Sequence, residues 1–385
     1  MKIGLVSGGY PPEIDGIGDY TAWMAKALIS RQDVEAPVSV FTSTGKEREQ
    51  GSGIDVIQFF DRSSPGGFGR LVELSHQRKL DWLLLQYNPF SYGARGICYF
   101  VPETIVRLKK LYPKIRVAVM FHETFMKEKG LKPALLGVLQ KMICRRLAAS
   151  SDVCFVSVEG FSADVNTRNG KDVEVLPVGS NLPELSIDPR EAKQQFGWEE
   201  GDLVMGTFGQ KHPSRKIDWM FEAFEQVKKQ IPKARFLYIG GGGDEMRRHI
   251  QDASLITTGP LSGVNVAKSI HAIDIYLSPF VDGVSTRRGS FVAALQHGSA
   301  IVGTDGSLTD QTLRGENGKS FELVTAGDSV GFAGKCIELA CHTEYRQRLG
   351  RNARLLFERT FAWDVLCERM LGSLGSVQNK EVQSL

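Results

Sequence analysis

The 385-residue chain is poor in several features that would take it out of the ordinary globular class. Its six cysteines are scattered at positions 98, 144, 154, 336, 341 and 367, with no close pair, and its seven histidines supply no zinc-ligand spacing. That excludes a disulfide scaffold or a finger-type metal site, and fits reduced thiols in the cytoplasm. No run of about 18 apolar residues occurs, so the sequence offers no membrane-spanning helix. The opening MKIGLVSGGYPPE breaks at Gly8 and Gly9 after only a short apolar run. It reads as a first buried strand, because the apolar core of a signal peptide is longer. A formal net charge of +3 is too small to argue for nucleic acid, and no nucleic-acid-binding motif is present. Low-complexity tracts and repeats of 20–50 residues are missing too.

The chain does have a regular alternation. Short apolar runs are predicted as strands at 2–7, 38–42, 55–60, 82–87, 116–121, 153–157 and 173–177. Six more occur at 203–208, 235–239, 255–258, 275–279, 300–304 and 319–323. Most lack strict polar/apolar alternation, as expected of parallel strands covered by helices on both faces. Amphipathic stretches separate them, which predicts an α/β, doubly wound architecture. At this length two domains are the default. A proline-rich stretch from Pro177 through Pro183 to Pro189 interrupts both periodicities and predicts a linker. The expected organisation is two Rossmann-like halves, residues 1–185 and 186–360. Ligands of such sheets bind beyond the carboxyl ends of the strands, so two sheets facing each other predict an interdomain cleft.

The candidate functional residues fall at those strand ends. Asp282-Gly283-Val284-Ser285-Thr286-Arg287-Arg288-Gly289 joins a strand-like run to a helix-like run, 290–296. Helix amides and two guanidinium groups would converge there on a phosphate or diphosphate. Phe208-Gly209-Gln210-Lys211-His212-Pro213-Ser214-Arg215-Lys216 brings three further cations to a strand end. Gly240 to Gly243 suits close approach of backbone to ligand or a plain turn. Thr258 and Leu261 stand at the next strand end, where a nucleotide base could stack and hydrogen-bond. In the first half, Gly8 to Tyr20 forms a glycine-rich turn before a helix expected from about Thr21. Its spacing is wrong for a dinucleotide fingerprint. His122, in Met120-Phe121-His122-Glu123-Thr124, ends a strand, where it could accept a hydrogen bond from a sugar hydroxyl or meet developing charge.

In this order the segments resemble the retaining glycosyltransferases of the GT-B fold, family 4 (group 1), over nearly the whole chain. The resemblance implies acceptor-side roles for Gly16, Gly18, Asp19 and Tyr87. Donor-binding roles are implied for Gly209, Gln210, Lys211, Arg215, Gly241, Thr258, Leu261, Ser285, Thr286, Arg287 and Gly289. It aligns Lys216 with the family's diphosphate lysine, and puts Gln210 where an arginine is usual. His122 matches the histidine near the anomeric carbon. Phe361-Ala362-Trp363-Asp364 resembles the family's C-terminal segment, so the helix over 361–385 is expected to cross back onto the first domain. The departure is at the family's two glutamates, whose places are taken by Ser285 and Ala293. Asp282 is expected to reach the sugar instead, and Arg287 and Arg288 to take over phosphate charge. The catalytic set is then His122, Lys216, Asp282 and Arg288.

The resemblance implies glycosyl transfer from a nucleoside-diphosphate sugar to a hydroxyl acceptor, with retention and with neither metal nor cofactor. A nucleotide-sugar epimerase of the same fold, or a non-catalytic nucleotide-sugar-binding protein, are the competing readings. A basic amphipathic helix over 127–149 carries Lys129, Lys132, Lys141, Arg145 and Arg146 among leucines. It either contacts the inner face of an anionic membrane weakly or covers the first sheet with its charges in water.

Overall fold

The computed structural model describes residues 1–47, 51–62, 65–126, 131–165 and 173–382. Lys127 and Lys129 lie outside the described residues, as do the side chain of Lys132 and residues 383–385. The chain forms two compact units, Met1–Pro177 with Trp363–Leu385, and Val178–Ala362. The break between them falls at Pro177, at the start of the proline-rich stretch rather than near residue 185.

The first unit is built on a parallel sheet of β1 (Ile3–Ser7), β2 (Val38–Ser43), β3 (Ile54–Phe60), β4 (Trp82–Tyr87), β5 (Arg116–Phe121), β6 (Val153–Val156) and β7 (Val173–Val175). Its order is β3-β2-β1-β4-β5-β6-β7. The second unit holds β8 (Val204–Phe208), β9 (Arg235–Ile239), β10 (Leu255–Thr257), β11 (Ile275–Ser278), β12 (Ala300–Asp305) and β13 (Glu322–Thr325), in the order β10-β9-β8-β11-β12-β13. In both sheets the chain runs outward one way and then reverses. The switch points fall between β1 and β4 and between β8 and β11, where an open parallel sheet forms its ligand crevice. Central strands such as β1, β4 and β11 are buried along their whole length, which is why they read as continuous apolar runs.

An aspartate directly before a strand fixes the amino edge three times. Asp81, before β4, accepts from the Lys2 amide at 2.7 Å. Asp152, before β6, accepts from Val117 at 2.8 Å, and Asp274, before β11, from Val204 at 2.8 Å. Lysines close two of these charges: Lys109 lies 2.6 Å from Asp152, and the buried Lys193 lies 2.8 Å from Asp274.

Two expectations shift. The last strand begins at Glu322, not at 319, because Lys319 and Ser320 turn back to the Glu316 carbonyl, with Gly318 at φ +74°. The first helix starts at Gly16 rather than near Thr21. Asp15 is extended and accepts from the Ile17 and Gly18 amides at 2.9 and 3.0 Å, a side-chain cap that initiates the helix early. Gly18 therefore lies inside a helix with ordinary dihedrals. A Cβ there would sit 2.8 Å from the backbone of Gly9, so its value is close packing of helix against loop. The last helix, Trp363–Val382, belongs to the first unit, where Trp363 packs on Tyr20 at 5.0 Å and Arg369 donates to the Val175 carbonyl.

Candidate active site

In the first unit the candidate residues gather around the ends of β1, β4 and β5. His122 directly follows β5 and is buried. Its Nε2 lies 2.8 Å from Oε1 of Gln86, so the proton sits on Nε2 and Nδ1 keeps its lone pair. Tyr20 meets the imidazole edge-on at 4.8 Å. Burial lowers the His122 pKa to about 4, against the opposing pull of Asp15, so the ring is neutral at physiological pH. Chemically this is a hydrogen-bond acceptor and a polarisable wall, not a proton donor. Arg62 donates to the Gly8 carbonyl and lies 3.6 Å from Asp15, tying the glycine loop to the helix cap. Asp19 borders a cavity of about 210 Å³ lined by Tyr10, Trp23 and Lys26. Tyr87, the last residue of β4, accepts from the His122 amide at 2.9 Å, but its side chain is fully buried against Phe121 and Cys98 and presents no surface.

In the second unit the loops after β8 and β11 are laced together at the switch point. The Lys216 amide donates to the Pro279 carbonyl at 3.0 Å, and the Val281 amide to Ser214 at 2.8 Å. Arg215, only 8% exposed, is the clasp. It donates to Thr207 Oγ1 at 2.6 Å, to the Phe208 carbonyl at 3.0 Å and to Ser290 Oγ at 3.3 Å. Gly209, at φ +136°, leaves it room, since a Cβ there would fall 2.6 Å from Nη2. Tyr276 adds a second tie, its hydroxyl 3.0 Å from the Ser290 carbonyl and 3.1 Å from the Phe208 amide. Arg215 thus faces inward and positions the loops.

The Asp282–Gly289 loop is held as firmly. Val284 donates to Thr304 and Thr286 to Asp310, so Ser285 and Thr286 are buried in its floor. Arg288, immediately before the Gly289–Gln296 helix, lies over the Phe280 ring at 4.2 Å and binds Asp282. Burial pulls the Arg288 pKa down while Asp282 pushes it up. Burial also lowers His212, helped by the cationic Arg288. Around these groups lie exposed elements: the Lys216 side chain, and Gly289, where a Cβ would meet no atom within 4 Å. Lys211 is paired with Glu245 at 2.8 Å, and Gln210 lies against Gly241. Thr258 lies beside Gly240, whose amide reaches its Oγ1 at 3.3 Å, and Leu261 is partly exposed. The switch point between β8 and β11 therefore carries Lys216, Arg287, Arg288 and an open helix amide end within one laced pair of loops.

Residues 202–342 match the family model of the glycosyl transferases group 1. No curated protein matches the chain by sequence. Among solved structures, it is similar to sucrose-phosphate synthase from Thermosynechococcus elongatus, at TM-score 0.73 and 14% identity over 100% of both chains. It is also similar to Anabaena HepE in complex with UDP and glucose, at TM-score 0.70 and 15% identity over 98% of this chain and 100% of that one. WaaG, a glycosyltransferase involved in lipopolysaccharide biosynthesis, matches at TM-score 0.65 and 13% identity over 96% and 98%. The fold is GT-B.

In the second unit, Ser285 and Ala293, which the sequence resemblance aligns with two glutamates, are both buried. Neither offers a carboxylate. Gln86 and Tyr20, which orient His122, are not among the residues expected from sequence. Gln86 had a signal: it is the one polar residue within the apolar run Trp82–Tyr87. Tyr20 had none beyond its place at the end of the glycine loop.

Proposed function

We propose that the protein transfers a glycosyl group from a nucleoside-diphosphate sugar to a hydroxyl acceptor, with retention at the anomeric carbon and without a metal ion. The observation that carries this reading is the second unit's switch point, where Lys216, Arg287, Arg288 and the Gly289 amide surround one pair of interlaced loops. The bond between the anomeric carbon and the diphosphate oxygen breaks, leaving negative charge on the phosphate. Lys216, the arginines and the helix amides stabilise that charge from fixed positions. The acceptor hydroxyl attacks from the same face and passes its proton to the departing phosphate oxygen, so no carboxylate nucleophile is needed. His122, neutral and held by Gln86, serves as a hydrogen-bond acceptor in the first unit. Gly16, Gly18 and Asp19 are assigned to the acceptor side, and Gly209, Gln210, Gly241, Thr258 and Leu261 to donor binding.

The HepE complex with UDP and glucose makes UDP-glucose the first donor to test. Thermal-shift screening of nucleotide sugars and free nucleoside diphosphates identifies the base, because a ligand that binds only the folded state raises its stability. Proton NMR of the product with a panel of hydroxyl acceptors then reads the anomeric configuration, with chelator present. Transfer with the donor's configuration kept is the expected result. Conversion of donor alone into an epimer, or binding without turnover on any acceptor, overturns it.

A further inference from the structure

The Leu131–Ser150 helix is attached to the first unit by one face only. Gln140, Ile143, Cys144, Leu147 and Ala148 are buried beneath it. Its outward positions from the second turn onward are Leu135, Val138, Leu139 and Met142, then Arg145 and Arg146. The four apolar side chains are 64%, 55%, 41% and 63% exposed. They recur at helical spacing, so they form one stripe rather than scattered surface residues. Beside the stripe Lys141 lies over the Phe125 ring at 5.2 Å. No Asp or Glu occurs anywhere in residues 131–150.

The position of this stripe is fixed by Gln140. Its Oε1 accepts from the Met126 amide and its Nε2 donates to the Arg95 carbonyl, both at 2.9 Å. Those partners lie in the loops that leave β5 and β4. The apolar turns therefore stand at the carboxyl edge of the first sheet, the edge that also carries His122. The loop after β4 adds two more exposed aromatic side chains, Phe90 and Tyr99.

We infer that this helix face docks the protein on an anionic lipid surface. Apolar side chains flanked by Lys141, Arg145 and Arg146, of which Arg146 is met by the Glu103 carboxylate at 2.6 Å from the neighbouring helix, match an interface of acyl chains and acidic headgroups. The docking stands on its own geometry. Only its corollary rests on the proposed transfer: the acceptor hydroxyl then belongs to an amphiphile presented at the membrane.

Co-sedimentation tests the inference directly, using the full chain with phosphatidylglycerol-containing vesicles and with phosphatidylcholine alone. Wild-type protein binds the anionic vesicles at low salt and is released by high salt. Val138→Glu combined with Met142→Glu, or Arg145→Glu alone, lowers the partition about tenfold or more. Both variants keep the wild-type melting temperature, since the changed side chains face outward, and both keep the thermal shift given by UDP. Equal binding by wild type and variants, or no binding by wild type, overturns the inference. So does Met142-dependent dimerisation in sedimentation velocity without vesicle binding. Loss of the UDP shift in wild-type protein instead counts against the proposed function and leaves the docking result to stand by itself.

Discussion

Nη2 of Arg288 binds both carboxylate oxygens of Asp282, at 2.5 and 2.7 Å, while Arg287 approaches the same carboxylate at 3.4 Å. An internal anion thus occupies two of the cations assigned to the donor. Asp282 is accordingly less available to the sugar than its place in the sequence suggests, and a diphosphate must compete with it. Asp282→Asn is expected to tighten binding of nucleoside diphosphate about tenfold by calorimetry, since a charged hydrogen bond contributes about 1.5–3 kcal/mol. Weaker binding would mean that the carboxylate holds the arginines in place for the ligand.

Lys216 and Arg288 differ from Arg215 in the partners that hold them. Lys216 is exposed, whereas Arg215 is committed to Thr207, Phe208 and Ser290. Lys216→Ala and Arg288→Ala are each expected to lower kcat about 10²–10³-fold, with a smaller change in donor KM. Steady-state kinetics check this, and a wild-type kcat in either variant removes that residue from the mechanism. Arg215→Met should lower the melting temperature as well, because it opens the clasp between the loops.

The buried His122 makes stability depend on pH in a definite direction. Its pKa is about 4 in the folded protein, against 6.5 ordinarily. As pH falls through 6.5 the unfolded chain takes up a proton that the folded chain refuses until near 4. Stability is therefore lost progressively across that window. Denaturant unfolding at pH 7 and pH 5 should show wild-type protein losing about 2 kcal/mol more than His122→Asn. Equal losses would show that the imidazole is hydrated in the folded state.

Gly16 and Gly18 are two residues apart yet predict opposite outcomes. A Cβ at Gly18 meets Gly9 and Tyr10 backbone at 2.8–3.0 Å, and one at Gly16 meets nothing within 4 Å. Gly18→Ala should destabilise the protein by about 1–3 kcal/mol through overpacking. Gly16→Ala should be neutral or stabilise by up to about 1 kcal/mol, through a less flexible unfolded chain. Urea denaturation of the two variants separates the effects.

The GT-B fold was legible because its strands are buried on both faces, and such runs stand out as β-branched and apolar segments between helices. β13 was misplaced by three residues because a turn closed by backbone bonds to Glu316 looks, in sequence, like the start of an extended run. The site was legible only as a concentration of charge. Arg215 and Arg288 are indistinguishable in a list of cations, yet one is sealed behind Gly209 and the other paired with Asp282. Their roles depend on a partner 75 residues away in the first case, Ser290, and on loop curvature in the second. Neither is encoded in local composition. His122 was found from its position after a strand, while its neutrality comes from burial that no short motif reports.

The aspartates preceding β4, β6 and β11 give the two ends of these strands different duties. Alignment of neighbouring strands is enforced where the chain enters the sheet, by side chains that grip the first amides. Nothing in that arrangement depends on the loops by which the chain leaves the sheet. A loop such as Asp282–Gly289 can therefore change its side chains while assembly proceeds unchanged. The same asymmetry makes the exit loops of both units the natural place to graft new specificity, and the entry aspartates the residues that such redesign must leave alone.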